Sequence, residues 1–242
     1  MKKLSMPQQK GIALGILLIL SLQVLPQSAK PKNLVMADFK RFHFGYSVGL
    51  NTAGFTIVPN KDYRMDLVRN PGININLITD YRLGKYLNVR LLPGIQFAER
   101  DLSVTNIITG ETKTPSWKIE SIFMDMPILL KYRSSRVNNY APYLIAGINP
   151  RIDLLGADIP PETVKKKLAT RILNPFDIYA EVGVGVDFYL SMVKVAAELK
   201  FSVGMLDIFH NPGDSRFDLY VAGVNQVYSR MVILAFHVEQ SR

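Results

Sequence analysis

Between Pro175 and Met205 the chain alternates apolar and polar residues almost without interruption. Phe176, Ile178, Ala180, Val182, Val184, Val186, Phe188 and Leu190 fall on one side of the period. Asp177, Tyr179, Glu181, Gly183, Gly185, Asp187 and Tyr189 fall on the other. After Ser191 and Met192 the alternation resumes, with Val193, Val195, Ala197, Leu199, Phe201, Val203 and Met205 against Lys194, Ala196, Glu198, Lys200, Ser202 and Gly204. A period of two sustained this long predicts strands with one apolar and one polar face. A two-residue turn places Leu190 opposite Val193, so the apolar faces of the two arms coincide. Arms of about 15 residues far exceed the usual ~5–6 of globular strands. A membrane barrel, apolar outside and polar within, accommodates them.

The same signal recurs along the chain. A first strand alternates Phe42, Phe44, Tyr46, Val48 and Leu50 with Arg41, His43, Gly45, Ser47 and Gly49. Residues 51–70, with scattered Pro, Asn, Asp and Gly, read as a long loop. A second strand sets Ile73, Ile75, Leu77, Thr79 and Tyr81 against Asn74, Asn76, Asp80 and Arg82. After the turn at Gly84 and Lys85, a third sets Leu87, Val89, Leu91, Pro93, Ile95 and Phe97 against Asn88, Arg90, Gly94, Gln96 and Ala98. Pairing Leu83 with Leu87 predicts that Asp80 faces Arg90. Residues 99–116 read as a second loop. The fourth strand turns Ile122, Met124, Met126, Ile128, Leu130 and Tyr132 outward and Ser121, Asp125 and Lys131 inward. A turn at Asn138 and Asn139, residues that tolerate positive φ, leads to a fifth. There Leu144, Ala146, Ile148 and Ile152 oppose Gly147, Asn149, Arg151 and Asp153, and Asp125 is expected opposite Arg151. Residues 156–174 form a third loop, in which Pro161, Glu162 and the run VKKKLATRIL predict a short helix. The long hairpin supplies strands six and seven, and residues 208–225 a fourth loop. Strand eight sets Val232, Leu234, Phe236 and Val238 against Ser229, Met231, His237 and Glu239.

Long and short connections therefore alternate around eight strands. The expected fold is all-β: an eight-stranded antiparallel transmembrane β-barrel with short periplasmic turns and long external loops.

The amino-terminus adds an address. Lys2, Lys3 and Lys10 precede an apolar run from Gly11 to Leu25, which ends in Pro26, Gln27, Ser28 and Ala29. That is the composition of a secretory signal peptide, 1–29. Residues 30–39 are expected to be a periplasmic linker and 40–242 the barrel. Removing the signal lowers the net charge from +9 to +6. The chain has no cysteine, which excludes a lipid-modified amino-terminal cysteine. No later stretch approaches the ~18 uninterrupted apolar residues of a membrane helix. No basic helix or aromatic RNA-binding motif accompanies the positive charge, so nucleic acid is not an expected partner.

An eight-stranded barrel is just wide enough to be filled by side chains. The expected inward set, Arg41, Asp80, Arg90, Asp125, Lys131, Arg151, Asp153, Glu181, Glu198 and Lys200, balances in sign. It predicts a plugged interior rather than a diffusion pore. Phe42, Tyr81, Trp117, Tyr132, Phe176 and Phe188 lie near strand ends, where interfacial girdles belong.

The three histidines are the candidates for chemistry. His43 and His237 face inward on strands that become neighbours on closure, with Glu239 nearby; His210 sits in an external loop with Asp207 and Asp214 close in sequence. The alternatives are a metal or acid–base pair and simple interior hydrogen bonding. No nucleophile motif, phosphate loop or HExxH accompanies them. No catalytic, cofactor or metal residues are therefore assigned, and no small-molecule substrate is expected.

The segment Met124-Asp125-Met126-Pro127-Ile128-Leu129-Leu130-Lys131-Tyr132 resembles a strand of Bacteroidetes outer-membrane barrels. With its continuation, Arg133-Ser134-Ser135-Arg136-Val137-Asn138-Asn139-Tyr140-Ala141-Pro142-Tyr143, and the later Gly147, it is similar to the PorT family of type IX secretion systems. That resemblance implies a non-catalytic part in exporting proteins with a C-terminal sorting domain, linked in relatives to gliding motility or protease secretion. It implies outer-membrane lipid and other secretion-system proteins as partners, met through loops or periplasmic turns. A small barrel enzyme acting on lipid or peptide, and a structural or adhesive barrel, are the alternatives.

Overall fold

The structure, a computed structural model, describes residues 33–34, 40–59, 63–106, 112–155, 173–209 and 224–240. The described elements are strands alone: β1 (Phe42–Pro59), β2 (Tyr63–Arg69), β3 (Pro71–Arg82), β4 (Leu87–Leu91), β5 (Gly94–Asn106), β6 (Thr112–Asp125), β7 (Ile128–Arg133), β8 (Tyr140–Asp153), β9 (Phe176–Tyr189), β10 (Val193–Gly204) and β11 (Val224–Gln240). All pairings are antiparallel, and β11 pairs with β1 from Gly45↔Glu239 to Thr52↔Val232 and beyond, which closes the ring.

Eleven segments make eight staves. β4 and β5 are separated at Leu92–Pro93, and β6 and β7 at Met126–Pro127. Proline cannot donate to a ladder, and the two interruptions face each other on adjacent staves. Leu92 N donates to Pro127 O at 3.2 Å, and Leu77 N to Pro93 O at 2.8 Å. The register runs through both breaks unchanged, from Leu91↔Ile128 to Gly94↔Asp125. β2 and β3 are one stave with an irregularity at Asn70, whose amide donates to Glu99 O (3.2 Å). The expected strand order and the eight-stave ring hold.

The predicted registers hold as well. Leu83 N donates to Leu87 O at 2.9 Å, and Leu190 N to Val193 O at 3.0 Å. Asp80 lies opposite Arg90, and Asp125 opposite Arg151. Asn138 adopts φ 52° in the turn between β7 and β8, the backbone that asparagine was expected to accept there.

Two of the expected loops are instead strands. β1 continues to Pro59 and β2 starts at Tyr63, within residues 51–70; β5 continues to Asn106 and β6 starts at Thr112, within 99–116. Beyond the apolar outer wall the side-chain logic inverts. Phe55, Ile119, Ile208 and Val227 are buried inside these extensions, with Ile57, Leu67, Leu173, Phe209 and Val224 packed on them. Outside, Arg64 pairs with Asp66 at 3.3 Å. The Arg69 guanidinium lies over Gly54, against the space a larger residue's Cβ would take. Water surrounds this part of the strands, so its apolar side chains turn inward and it forms an external dome with its own small core.

Within the barrel the distribution is inside out. Phe44 is 58% and Tyr46 68% exposed, whereas Arg90 is 0% exposed. Row after row of outward Leu, Val, Ile and Phe has no protein cover, a surface that hydrocarbon satisfies and water does not. The girdle residues Phe42, Tyr132, Phe176 and Phe188 are exposed on this wall, and Tyr81 is half-buried beside Phe42.

The expected signal peptide, the loop-three helix (apart from Leu173) and His210 lie outside the described residues, and the Trp117 side chain is not described. Of the expected linker, Asn33 and Leu34 are described, and they dock on the barrel. Asn33 N donates to Asn139 Oδ1 (2.8 Å), and its Nδ2 to Tyr189 O (3.1 Å). Arg136 donates to Asn33 O and stacks 3.9 Å over the Tyr189 ring. Leu34, at φ 51°, packs against Ala141 and Tyr189.

Candidate functional site: the charged interior

Inward positions of seven of the eight staves, all but β1, bring together seven buried carboxylates (Asp80, Asp125, Asp177, Glu181, Asp187, Glu198, Glu239) and six buried bases (Arg90, Arg100, Lys131, Arg151, Lys194, Lys200). Buried charges are tolerable only when paired and hydrogen-bonded, and most of these are.

Arg90 is the hub of the half nearer the short turns. Its Nε and one terminal nitrogen donate to Asp80 Oδ2, at 3.1 and 2.9 Å. The same terminal nitrogen reaches Glu239 Oε1 at 3.0 Å, and the other reaches Glu198 Oε2 at 3.2 Å. Each acceptor is held a second time. Asn88 donates to Asp80 (2.6 Å), Lys194 pairs with Glu239 (2.5 Å), and Tyr143 OH donates to Glu198 (2.9 Å). Lys131 sits 2.8 Å from Asp187 and 3.8 Å from the centre of the Tyr143 ring.

A second cluster lies toward the dome. Arg151 grips Asp125 with two bonds, 2.6 and 3.3 Å. Glu181 accepts from Asn149 and Ser202, each at 2.9 Å, and pairs with Lys200 at 2.8 Å. Arg151 also stacks on Tyr179 at 4.1 Å and on Phe123 at 5.1 Å.

Arg100 marks the junction with the dome. Its guanidinium lies 4.3 Å over Phe55 and 5.5 Å from Phe123, and donates to Ser121 Oγ at 2.5 Å. Beside it, a cavity of about 20 Å³ is bounded by Arg151, Asp153, Asp177 and Tyr179 among others, room for about one water molecule.

The sequence places most of this set correctly. Asp80, Arg90, Asp125, Lys131, Arg151, Glu181, Glu198 and Lys200 are all buried in the interior, and Asp153 is half-buried at the dome end. Arg41 is a correction: it precedes β1 and is exposed on the rim, because the first stave begins one residue later than its parity suggested. Arg100 was missed because it fell in an expected loop. Asp187, Lys194 and Glu239 sit on the polar parity of their strands, and that parity was the available signal.

His43 and His237 are both buried on adjacent staves, but His237 lies opposite Ser47 and His43 opposite Asp80. His237 Nε2 is 3.2 Å from Glu198 Oε2. Glu239, the carboxylate expected beside the pair, is taken by Arg90 and Lys194. Among the described residues no group of three or more His, Asp or Glu side chains is arranged to hold a metal ion. The geometry is that of a charge-filled core joining opposite walls.

One comparison, with protein families, agrees with this architecture. The family model described as "Outer membrane protein beta-barrel domain" matches residues 26–210. No curated protein matches the sequence significantly. Among solved structures, the outer membrane protein OprG from Pseudomonas aeruginosa is similar at 11% identity and TM-score 0.43, covering 82% of this chain and 93% of that one. Neisserial surface protein A is similar at 14% identity and TM-score 0.43, with 81% and 96% covered. The outer membrane protein AlkL is similar at 11% identity and TM-score 0.37, with 89% and 95% covered. With the family model covering most of its length and a closed ring of membrane-facing staves, the chain belongs to the outer membrane protein beta-barrel domain family.

Proposed function

We propose that this outer-membrane barrel is a non-catalytic component of a type IX protein secretion system, needed for export of proteins that carry a C-terminal sorting domain. The observation that carries the reading is the string Met124–Tyr132 with its continuation to Tyr143, which resembles the PorT family. In the fold the string is structural throughout. Asp125 holds Arg151, Pro127 forms the interruption shared with Pro93, Lys131 holds Asp187, and Tyr132 faces outward in the girdle.

The filled interior favours action through surfaces over conduction. Other secretion-system proteins would be met at the short turns or the external dome, with outer-membrane lipid around the wall. Deleting the gene is expected to trap sorting-domain proteins in the periplasm, read by comparing secreted and periplasmic fractions. Unchanged secretion would overturn the proposal. The dome favours a second reading, a structural or adhesive barrel, for which the same deletion leaves secretion intact and weakens binding at the cell surface.

A further inference from the structure

The rim at the short-turn end is divided by charge. Starting at β1, it carries Lys40 and Arg41, then Arg82 at the end of β3, Lys85 in the next turn, Arg133 at the end of β7 and Arg136 in the turn that follows. Backbone bonds make this a continuous arc: Arg82 N donates to Arg41 O, and Arg133 N to Tyr86 O, both at 2.8 Å. The rest of the described rim, Tyr189 to Val193 and Gln240, is uncharged. No acidic residue occupies the described rim, because Asp80, Asp187 and Glu239 are all buried in the lumen. Arg41, Arg82 and Lys85 form no ion pair among the described residues. The dome end differs: exposed Arg64, Asp66, Glu120, Asp207 and Arg230 mix both signs.

The depth of the arc identifies what it meets. Three of the bases directly follow or precede an outward aromatic of the girdle: Arg41 beside Phe42, Arg82 beside Tyr81, Arg133 beside Tyr132. Phe42 and Tyr81 pack at 4.7 Å, Tyr86 and Tyr132 at 6.4 Å, and Lys85 lies 5.0 Å over the Tyr86 ring. Aromatic rings at the interface with bases one step beyond them place the charges at headgroup depth, where long side chains reach phosphate. We infer that Arg41, Arg82 and Lys85, the part of the arc not engaged with Tyr189 or Asn33, bind the phosphates of anionic phospholipids in the periplasmic leaflet and hold a selective lipid shell on that side of the barrel. This requires the membrane barrel and is independent of the secretion role.

The full mature chain, folded in bilayers, tests it with spin-labelled phosphatidylglycerol and phosphatidylcholine as probes. The natural protein is expected to prefer the anionic lipid about five-fold, the effect of about one base near an anionic surface, and to lose the preference in high salt. The triple variant Arg41→Gln, Arg82→Gln, Lys85→Gln should bring the ratio to unity, whereas Arg41→Lys, Arg82→Lys, Lys85→Arg should keep it. Gel mobility with and without boiling verifies that each variant is folded. An undiminished preference in the neutral variant would overturn the inference. So would no preference in the natural protein, and capture of an acidic periplasmic protein by the same arc would then make it a protein-docking surface.

Discussion

Arg90 on β4 and Glu239 near the end of β11 meet at 3.0 Å across the lumen, although β3 and β1 separate their staves in the wall. The last turn of sequence is thereby pinned to the first half of the barrel. Arg90→Ala leaves Asp80, Glu198 and Glu239 without their shared cation. Stability should fall by about 3–5 kcal/mol, the usual result of removing one partner from a buried charge cluster. Denaturant unfolding in lipid, followed by the gel mobility of the folded form, measures it. A loss below about 1 kcal/mol would mean that the lumen is hydrated well enough to screen these charges.

The two faces of β9 should fail differently. Val184 lies outward, opposite Leu144 and Leu199, and Val184→Arg near the membrane midplane should cost about 2–4 kcal/mol. That cost appears as poor insertion. Glu181→Gln instead keeps an acceptor for Asn149 and Ser202 but removes the charge facing Lys200. It should insert normally and lose about 1–3 kcal/mol in unfolding. If Glu181→Gln blocks insertion and Val184→Arg does not, the faces are reversed.

The dome should be separable from the membrane ring. Phe55 is buried there and carries the Arg100 guanidinium on its ring. Phe55→Ala should cost about 3–5 kcal/mol locally, as large-to-small core changes do. The expected readout is faster cleavage of the external segments by protease added to intact cells, with the membrane portion still folded.

No steady ion conductance is expected from the natural protein in planar bilayers. Arg90, Lys131, Arg151 and their carboxylates occupy the lumen, and an ion would have to displace pairs that have no other solvation. Current steps of the size that diffusion porins give would contradict the filled interior.

Turns and parity made the wall legible in the sequence. Between Leu83 and Leu87, and between Leu190 and Val193, the short connection and the matched faces leave one register, so Asp80 opposite Arg90 could be read directly. The strand extensions were hidden by a change of solvent. In β1 the apolar parity passes from Leu50 outward to Ala53 and Phe55 inward, and a period-two search sees that switch as the end of a strand. Contacts across the lumen were hidden for another reason. Lys131 and Asp187 belong to staves separated by β8, and sequence order reports neighbours around a ring rather than partners through it.

The seat of Asn33 and Leu34 bears on how the barrel is completed. Asn139 lies in the turn that precedes β8, and Tyr189 ends β9; β1, the stave that follows these two residues in the chain, stands on the far side of the ring. The segment translated just before the first stave can therefore find its binding partners only after the fifth and sixth staves have joined. Its seat is made by the turn before β8, by Ala141 and by Tyr189, so docking of this segment reports the pairing of β8 with β9 and the earlier staves alone have no place for it.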